Sequence, residues 1–161
     1  MSGCRTSFGG SILEAAIRAL RMKRFSVVSH DEYTTAKGDL FSGQGSRWLV
    51  KHYPYETIFG TPGRREYYIA SAEWSGQLEC KFQNGSGSVD EKMVYISETL
   101  RRTDERALAL VYAGKYWTDK DRGASVIQWM RAEATRIRDC GKQLLVFDMD
   151  QFIEWANETW S

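Results

Sequence analysis

One seven-residue segment carries charged and amide side chains at a spacing that could support chemistry. In the segment Gln77–Gln83, polar and apolar residues alternate as they do in a half-buried β-strand. The alternation gives Leu78, Cys80 and Phe82 to one face, suited to a core. Glu79 and Lys81 share the opposite face between two glutamines, so a carboxylate and an ammonium group lie side by side.

Two interpretations of this pair remain open from its pattern alone. The first is a surface ion pair on a solvated strand face, worth about 0–1 kcal/mol. The second adds Glu66, at the start of the preceding predicted strand, as a hairpin neighbour of Glu79. Two converging carboxylates repel each other, and a divalent cation such as Mg²⁺ would relieve the repulsion. With Lys81 beside them to orient a water, these groups are suited to phosphodiester hydrolysis.

A longer stretch resembles a known family. Glu66 precedes Glu79-Cys80-Lys81 by 12 intervening residues, and the run from Glu79 to Lys92 reads ECKFQNGSGSVDEK. This arrangement resembles the PD-(D/E)XK, or restriction-endonuclease-like, nuclease superfamily. It is similar to a phage- and plasmid-type subgroup with the motif ECKxQxxSGSxDEK, and it is Holliday-junction resolvase-like. The first acid departs from the family pattern, because it lies in Arg-Glu-Tyr and not in Pro-Asp.

The resemblance implies roles for individual residues. Glu66 and Glu79 would bind Mg²⁺, for which Mn²⁺ would substitute, together with the backbone carbonyl of Cys80. Lys81 would position or activate the hydrolytic water, and Gln83 would contact a water or phosphate at the metal. Glu14 resembles a glutamate on the N-terminal helix of related nucleases. A capping contact with Ser11 explains Glu14 equally well.

Several residues around the motif are candidate DNA contacts. The small residues of Asn84–Ser88 leave backbone amides accessible before a predicted helix, whose N-terminal end attracts anions. The resemblance makes Ser86, Ser88 and Lys92 candidates there, and Arg64 and Arg65 follow a predicted turn. The alternatives are an ordinary strand-to-helix turn and solvated arginines.

The elements that must position these groups follow from periodicity and turn residues. Two helices are predicted to begin with capping boxes. The first starts at the Ser11–Glu14 box, and another runs from Val89 to about Arg102 after a box formed by Ser88 and Glu91. Apolar periodicity predicts two further helices, over Gly123–Arg138 and over Gln151–Thr159. We predict a loop over Asp31–Gly45, an edge position for any strand around Pro54, a turn at Gly60–Gly63, and strands at Phe25–Val28, Glu66–Ala72, Gln77–Gln83, Arg106–Ala113 and Gln143–Phe147. The predicted fold class is α/β, a restriction-endonuclease-like core with a central mixed β-sheet flanked by helices, ordered α-β-β-β-α-β plus a C-terminal α-β-α.

Composition limits the class of protein. With 161 residues, 42% hydrophobic and 27% charged, the chain is predicted to form a single domain over residues 1–161. Three widely spaced cysteines do not favour a disulfide framework. The longest apolar run is Ala107–Ala113, too short for a membrane span, and no signal peptide is visible. A cytoplasmic protein is expected, bacterial or encoded by a phage or plasmid in a bacterial host.

The hypothesis that joins these observations is a Mg²⁺-dependent DNA endonuclease. The net charge of +1 is uneven, since the residues from Asp148 onward carry four acids and no base. The modest positive excess elsewhere is compatible with duplex or branched DNA as a partner. Small size favours structure-selective cleavage or a restriction or repair role, performed by a homodimer. The alternatives are a non-catalytic DNA-binding or assembly module with the nuclease fold, and an unrelated α/β protein in which Glu79 and Lys81 form only an ion pair.

Overall fold

The fold was analysed in a computed structural model, which describes residues 7–40, 46–85 and 88–161. Six strands and five α-helices make up the described chain, with one short 3₁₀ helix. In chain order they are α1 (Ser7–Met22), β1 (Ser26–Val28), α2 (His30–Leu40), β2 (Trp48–Glu56), β3 (Pro62–Ala70), β4 (Gly76–Phe82), α3 (Val89–Arg102), β5 (Ala107–Ala113), the 3₁₀ helix (Lys115–Thr118), α4 (Gly123–Asp139), β6 (Gln143–Phe147) and α5 (Met149–Thr159).

The strands form one mixed sheet in which spatial order equals chain order, β1 to β6. The pairs β2–β3 and β3–β4 are antiparallel, whereas β1–β2, β4–β5 and β5–β6 are parallel. The predicted central mixed sheet flanked by helices is therefore confirmed. Strand β5 is buried from Ala107 to Val111, as expected for an apolar strand covered on both faces.

Helices cover both faces of the sheet and create two apolar clusters. On the first face, Ile12 and Leu20 of α1 and Phe152 of α5 pack with Leu78 and Ala109; this is called the α1/α5 face. On the second, α3 and α4 pack over Leu108 and Leu110; this is called the α3/α4 face. Successive residues of β5 thus pack in opposite clusters, because side chains along a strand point alternately to the two faces of the sheet.

The N-cap roles predicted for Ser11 and Ser88 are not observed. Helix α1 begins at Ser7, so Ser11 lies inside the helix and cannot be its N-cap. Ser88 does precede α3, whose predicted bounds are confirmed, but its side chain makes no capping hydrogen bond. A capping box that was not predicted joins Asp148 and Gln151, and it starts α5 two residues before the predicted position.

The predicted loop over Asp31–Gly45 is also wrong where the chain is described, because His30–Leu40 forms α2. The Ser29 amide donates to Glu32 Oε2 at 2.7 Å, and the Glu32 amide donates to Ser29 Oγ at 3.2 Å. These reciprocal bonds satisfy two amides that the first turn leaves unpaired. Residues 41–45 lie outside the described parts of the chain.

Pro54 lies in the part of β2 that pairs with β3 alone, so a strand is present on only one side of it. Strand β1 pairs only with Trp48–Val50, whereas Pro54 pairs with Arg64 of β3 on the other side. The position of Pro54 thus has the edge character that was predicted, although β2 as a whole lies between two strands. The turn before β3 falls at Thr57–Gly60, and β3 starts at Pro62, earlier than predicted.

Candidate active site

Strand β4 presents Glu79 and Lys81 on the α3/α4 face of the sheet. Glu79 pairs with Leu110 and Lys81 with Tyr112 in the parallel ladder to β5. Leu110 belongs to the α3/α4 cluster. Leu78, the residue before Glu79, lies on the opposite face of β4 and packs in the α1/α5 cluster. The alternation predicted for this strand is confirmed, since Cys80 and Phe82 also pack against the α1/α5 cluster.

Glu79 and Lys81 are in direct contact. Lys81 Nζ donates a hydrogen bond to Glu79 Oε1, and the two side chains are only 24% and 13% exposed. Partial burial of this kind reduces screening by solvent, so the pair differs from an ion pair on a fully solvated face.

Glu66 joins this pair electrostatically. Strands β3 and β4 pair at Tyr67 and Leu78, each one residue from the acids Glu66 and Glu79. Partial burial raises the pKa of Glu66, the Glu79 charge raises it further, and Lys81 and His52 oppose the rise. The predicted acids and lysine are therefore close enough to influence one another, and no direct ion pair of Glu66 is found among the described residues.

The donor set suits a hard divalent cation. No group of three or more His, Cys, Asp or Glu side chains that could hold a metal occurs in the described ranges, and Glu66 and Glu79 are the two carboxylates that the resemblance assigns to a metal. Mg²⁺ is commonly held by one or two carboxylates, with water and phosphate completing its shell. Burial is the main cause of the raised pKa of Glu66, and the smaller contribution from the Glu79 charge is one that a bound cation would offset.

The Cys80 thiol is unsuited to metal binding or nucleophilic chemistry. Burial raises its pKa to about 12, and the nearby charges of Glu66 and Glu79 act in the same direction. The thiol therefore stays protonated near neutral pH and packs as a small apolar group. A role for Cys80 at this site is restricted to its backbone carbonyl, as the resemblance implied.

Arg65 occupies a position that its predicted role does not fit. The side chain is 5% exposed, and its Nε and one terminal nitrogen donate to the Glu105 carboxylate at 3.1 and 3.0 Å. Its other terminal nitrogen lies 3.6 Å from Glu79 Oε2, and the guanidinium lies 4.2 Å from the centre of the Tyr55 ring. Arg65 is therefore an internal partner of Glu79, and the expectation of a DNA contact from it is corrected.

Gln83 braces the loop that follows β4. Its Nε2 donates to the Gly85 carbonyl at 2.5 Å, and Asn84 Oδ1 accepts from the Lys115 amide at 3.1 Å. Gly114 passes so close that a Cβ there would lie 2.1 Å from the Gln83 carbonyl oxygen, and its φ of 112° favours glycine. This close contact fixes the backbone at Gln83, immediately after β4 and two residues beyond Lys81.

The other predicted DNA contacts that the structure describes, Ser88, Lys92 and Arg64, lie at the surface. Ser88 is exposed immediately before α3, and Lys92 is exposed in its first turn. Ser86 lies outside the described residues. Arg64 is exposed on β3 and faces a cleft of about 320 Å³ lined also by Ser29, His30, Asp31, Lys51, His52 and Pro54, here called the basic cleft.

The basic cleft adjoins the acids through His52, a residue that the sequence analysis did not select. The His52 charge lowers the pKa of Glu66, against the effects of burial and Glu79. His52 also adopts a left-handed backbone conformation, with φ of 52°, which is uncommon outside glycine. No sequence signal marks such a conformation at a histidine between Lys51 and Tyr53.

Glu14 lies elsewhere. It is exposed on α1 and lines a surface cleft with Ile17, Arg18, Arg21 and Met22. None of these belongs to the set of Glu66, Glu79 and Lys81, here called the acid–lysine group. Its assignment as a catalytic residue stays a prediction without a described contact to Glu66 or Glu79.

Comparison with known proteins gives one match. No significant match was found among curated proteins or among solved structures. A family model described as a PD-(D/E)XK nuclease superfamily domain matches residues 6–160, which is nearly the whole chain. Within the described residues, no helix is long and apolar enough to cross a membrane. With its mixed six-stranded sheet and its Glu79-Cys80-Lys81 strand, the chain belongs to the PD-(D/E)XK nuclease superfamily.

Proposed function

We propose that the protein is a divalent-metal-dependent endonuclease that hydrolyses phosphodiester bonds of DNA. The observation that carries the proposal is the contact of Lys81 with Glu79 beside a second carboxylate, Glu66, in a nuclease-family domain. Members of this superfamily generally use divalent metals. Glu66, Glu79 and the Cys80 carbonyl would hold Mg²⁺, and Mn²⁺ would substitute for it.

A bound divalent cation supplies Lewis-acid polarisation of a phosphoryl oxygen and offsets negative charge in the transition state. Glu66 and Glu79 must both be ionised to hold it. Lys81 orients the attacking water and stabilises the charge that grows on the phosphoryl oxygens, because its ammonium is held in place by Glu79. Gln83 acts by bracing the loop after β4, since its amide is bonded to Gly85.

DNA would approach from the side on which the acids meet the basic cleft. Arg64, Lys51 and His52 line the basic cleft, His52 acts electrostatically on Glu66, and Lys92 and Ser88 lie at the start of α3. Such groups contact phosphates and so fix the position of a duplex without reading its sequence. Branched DNA, cut by a homodimer, is the substrate we favour, with restriction- or repair-type duplex cleavage as the alternative substrate class.

The direct test is cleavage of labelled linear, nicked, flapped and four-way DNA with Mn²⁺ or Mg²⁺, and with EDTA. We expect cleavage that requires metal and is lost in Glu79→Gln and Lys81→Ala. Lys120→Ala is the matched control, because Lys120 is an exposed residue in the turn before α4. Parental cleavage by Lys81→Ala would contradict the proposed role of Lys81.

A metal titration separates the proposal from a non-catalytic DNA-binding module. Calorimetry with Mn²⁺ in the absence of DNA should give a binding isotherm for the parental protein and none for Glu79→Gln. A protein that binds branched DNA but neither binds Mn²⁺ nor cleaves would be the assembly module instead.

A further inference from the structure

A buried ion pair next to the acid–lysine group takes no direct part in the proposed chemistry. Arg65 of β3 and Glu105, two residues before β5, are joined by two hydrogen bonds and are 5% and 4% exposed. Burial of two charges carries a desolvation cost. Apolar residues of similar volume would fill these positions without that cost, so stability alone does not account for the pair.

Arg65 is shared unequally between two carboxylates. Its bonds to Glu105 are 3.0 and 3.1 Å long, whereas its nearest approach to Glu79 is 3.6 Å. Burial lowers the pKa of Arg65, but the hydrogen bonds and charge of Glu105 and the charge of Glu79 raise it overall, so the guanidinium stays charged. Glu105 is therefore the main carboxylate partner of Arg65, and Glu79 is the more distant one.

A free guanidinium at Glu79 would compete with a divalent cation for the same carboxylate. Lys81 already donates to Glu79 Oε1, and Arg65 faces Oε2. If Arg65 closed onto Oε2 as it does onto Glu105, both oxygens of Glu79 would be engaged by cationic donors. Because Glu105 binds Nε and one terminal nitrogen of Arg65, only the other terminal nitrogen faces Glu79.

We propose that Glu105 is a positioning residue that holds Arg65 away from full pairing with Glu79 and so keeps the Glu79 carboxylate available to a divalent cation. The proposal rests on the proposed function, because it assigns a purpose to Glu105 only if Glu79 binds metal. The Tyr55 ring covers the guanidinium of Arg65, with 4.2 Å between the guanidinium and the ring centre.

The test is Mn²⁺ affinity measured by calorimetry without DNA, so that the readout does not depend on cleavage. In Glu105→Gln the amide keeps one acceptor but loses the charge, and Arg65 should move onto Glu79. We expect Mn²⁺ affinity to fall about tenfold, in the range of couplings between contacting charged groups. In the double variant Arg65→Met, Glu105→Gln the competing cation is absent, and affinity should return to within about threefold of the parental value.

A matched control is Glu98→Gln, because Glu98 is also paired with arginines, Arg101 and Arg102, but on the exposed side of α3. It should leave Mn²⁺ affinity unchanged. Thermal unfolding of every variant checks that the comparison is between folded proteins. If Glu105→Gln does not fold, Glu105→Asp keeps the charge but withdraws it by one methylene, and it should weaken Mn²⁺ binding in the same direction.

The outcomes separate the two proposals. Loss of Mn²⁺ binding in Glu79→Gln together with parental affinity in folded Glu105→Gln would overturn the role of Glu105 and leave the nuclease proposal standing. Failure of the double variant to regain affinity would also overturn it, since simple loss of structure would then explain the single change. A parental protein that does not bind Mn²⁺ would overturn both.

Discussion

The Glu79 carboxylate contacts two cationic side chains, Lys81 and Arg65. These contacts bear on both metal binding and catalysis in the proposed function. Lys81 donates to one oxygen and Arg65 approaches the other. Both cations lower the net negative charge at the position where a divalent cation would bind. If the site binds a divalent cation as proposed, both side chains should weaken that binding, while Lys81 is already in place for the proposed reaction.

Lys81→Ala should consequently separate metal binding from cleavage. Removing the ammonium leaves Glu79 with more negative charge, so Mn²⁺ affinity should stay the same or rise by up to about tenfold. Cleavage of branched DNA should fall by at least about 10²-fold, because positioned proton-transfer and charge-stabilising groups contribute on that scale. Calorimetry and single-turnover cleavage measure the two effects, and Lys120→Ala should change neither. A parallel loss of Mn²⁺ affinity would mean that Lys81 is needed for the structure of the site.

Glu66→Gln should stabilise the metal-free protein while it abolishes stabilisation by metal. Burial and Glu79 raise the pKa of Glu66 above the usual 4.5, so its ionised form costs stability in the folded state. This loss of stability is complete at pH values above the raised pKa of the folded state. It disappears as the pH falls below the pKa of Glu66 in the unfolded state. We expect the melting temperature at pH 8 to rise by about 1–2 °C, and the gain to vanish near pH 4.

Added Mn²⁺ should raise the melting temperature of the parental protein, since a ligand of the folded state stabilises it. Glu66→Gln should lose that response, whereas Glu158→Gln, on the exposed side of α5, should retain it. A Glu66→Gln protein that is less stable than the parent at pH 8 would contradict the electrostatic picture of the site.

At the scale of elements, strands β2 and β3 build the basic cleft that adjoins the acids. Lys51 and Arg64 lie on these two neighbouring strands and line the same cleft with His52. Exposed cations of this kind act on DNA phosphates, so their effect depends on salt and not on base sequence.

The double variant Lys51→Ala, Arg64→Ala should therefore weaken binding to DNA of any sequence. We expect the dependence of log affinity on log salt to become shallower by about 1–2, roughly one for each lost phosphate contact. Fluorescence anisotropy at several salt concentrations, in a Lys81→Ala background that prevents cleavage, measures this. Lys120→Ala, Arg138→Ala removes two exposed cations elsewhere and should leave the slope unchanged. An unchanged slope in the cleft variant would place the DNA on another surface.

Gly114 links β5 to the end of β4, and its substitution should damage fold and activity together. A Cβ would lie 2.1 Å from the Gln83 carbonyl oxygen, in a backbone conformation with φ of 112° that other residues rarely adopt. Since neither group can move without shifting β4, Gly114→Ala should cost about 1–3 kcal/mol. Chemical denaturation measures the loss, and Gly85→Ala is the control, because a Cβ there would contact nothing within 4 Å. Parental stability in Gly114→Ala would mean that this contact is looser than described.

The elements differ in how far their sequences reveal them. Strand β6 and helix α3 were predicted at their observed bounds, because their apolar spacing matches one period throughout. Helix α2 was missed because its residues are mostly polar, with little apolar periodicity. Its start carries a signal all the same: Ser29 and Glu32 have capping-box spacing, and they make both bonds of that motif. The same spacing at Ser11 and Glu14 falls inside a helix, so the motif alone does not locate an N-terminus.

The candidate site was predictable where it is local in sequence and not where it is assembled by tertiary contacts. Glu79 and Lys81 share a face because they are two residues apart in one strand. Arg65 gave no such signal, since its main partner, Glu105, lies 40 residues away and approaches from the start of β5. For the same reason, an arginine expected at the surface after a turn proves to be buried.

At the scale of the whole molecule, the position of the site explains why a partner copy is expected. Glu79 and Lys81 lie on β4, near the middle of a six-stranded sheet, and each chain carries one Glu79-Cys80-Lys81 motif. In the proposed function, one such centre would hydrolyse one strand at a time. Symmetric cleavage of both strands of a branched substrate therefore favours two copies related by a two-fold axis.

Mixing parental protein with Lys81→Ala protein tests this expectation. If a dimer cuts both strands while bound, a four-way junction in a supercoiled plasmid should be converted to linear product by the parental protein alone. Adding excess Lys81→Ala copies should shift the product towards nicked circles, because mixed dimers carry one active centre. The order of cutting is followed on agarose gels, and sedimentation with the uncleaved junction should give two protein copies per DNA. Linear and nicked products in the same ratio at every mixing proportion, with one copy per junction, would mean that each chain acts alone and that the two strands are cut in separate encounters.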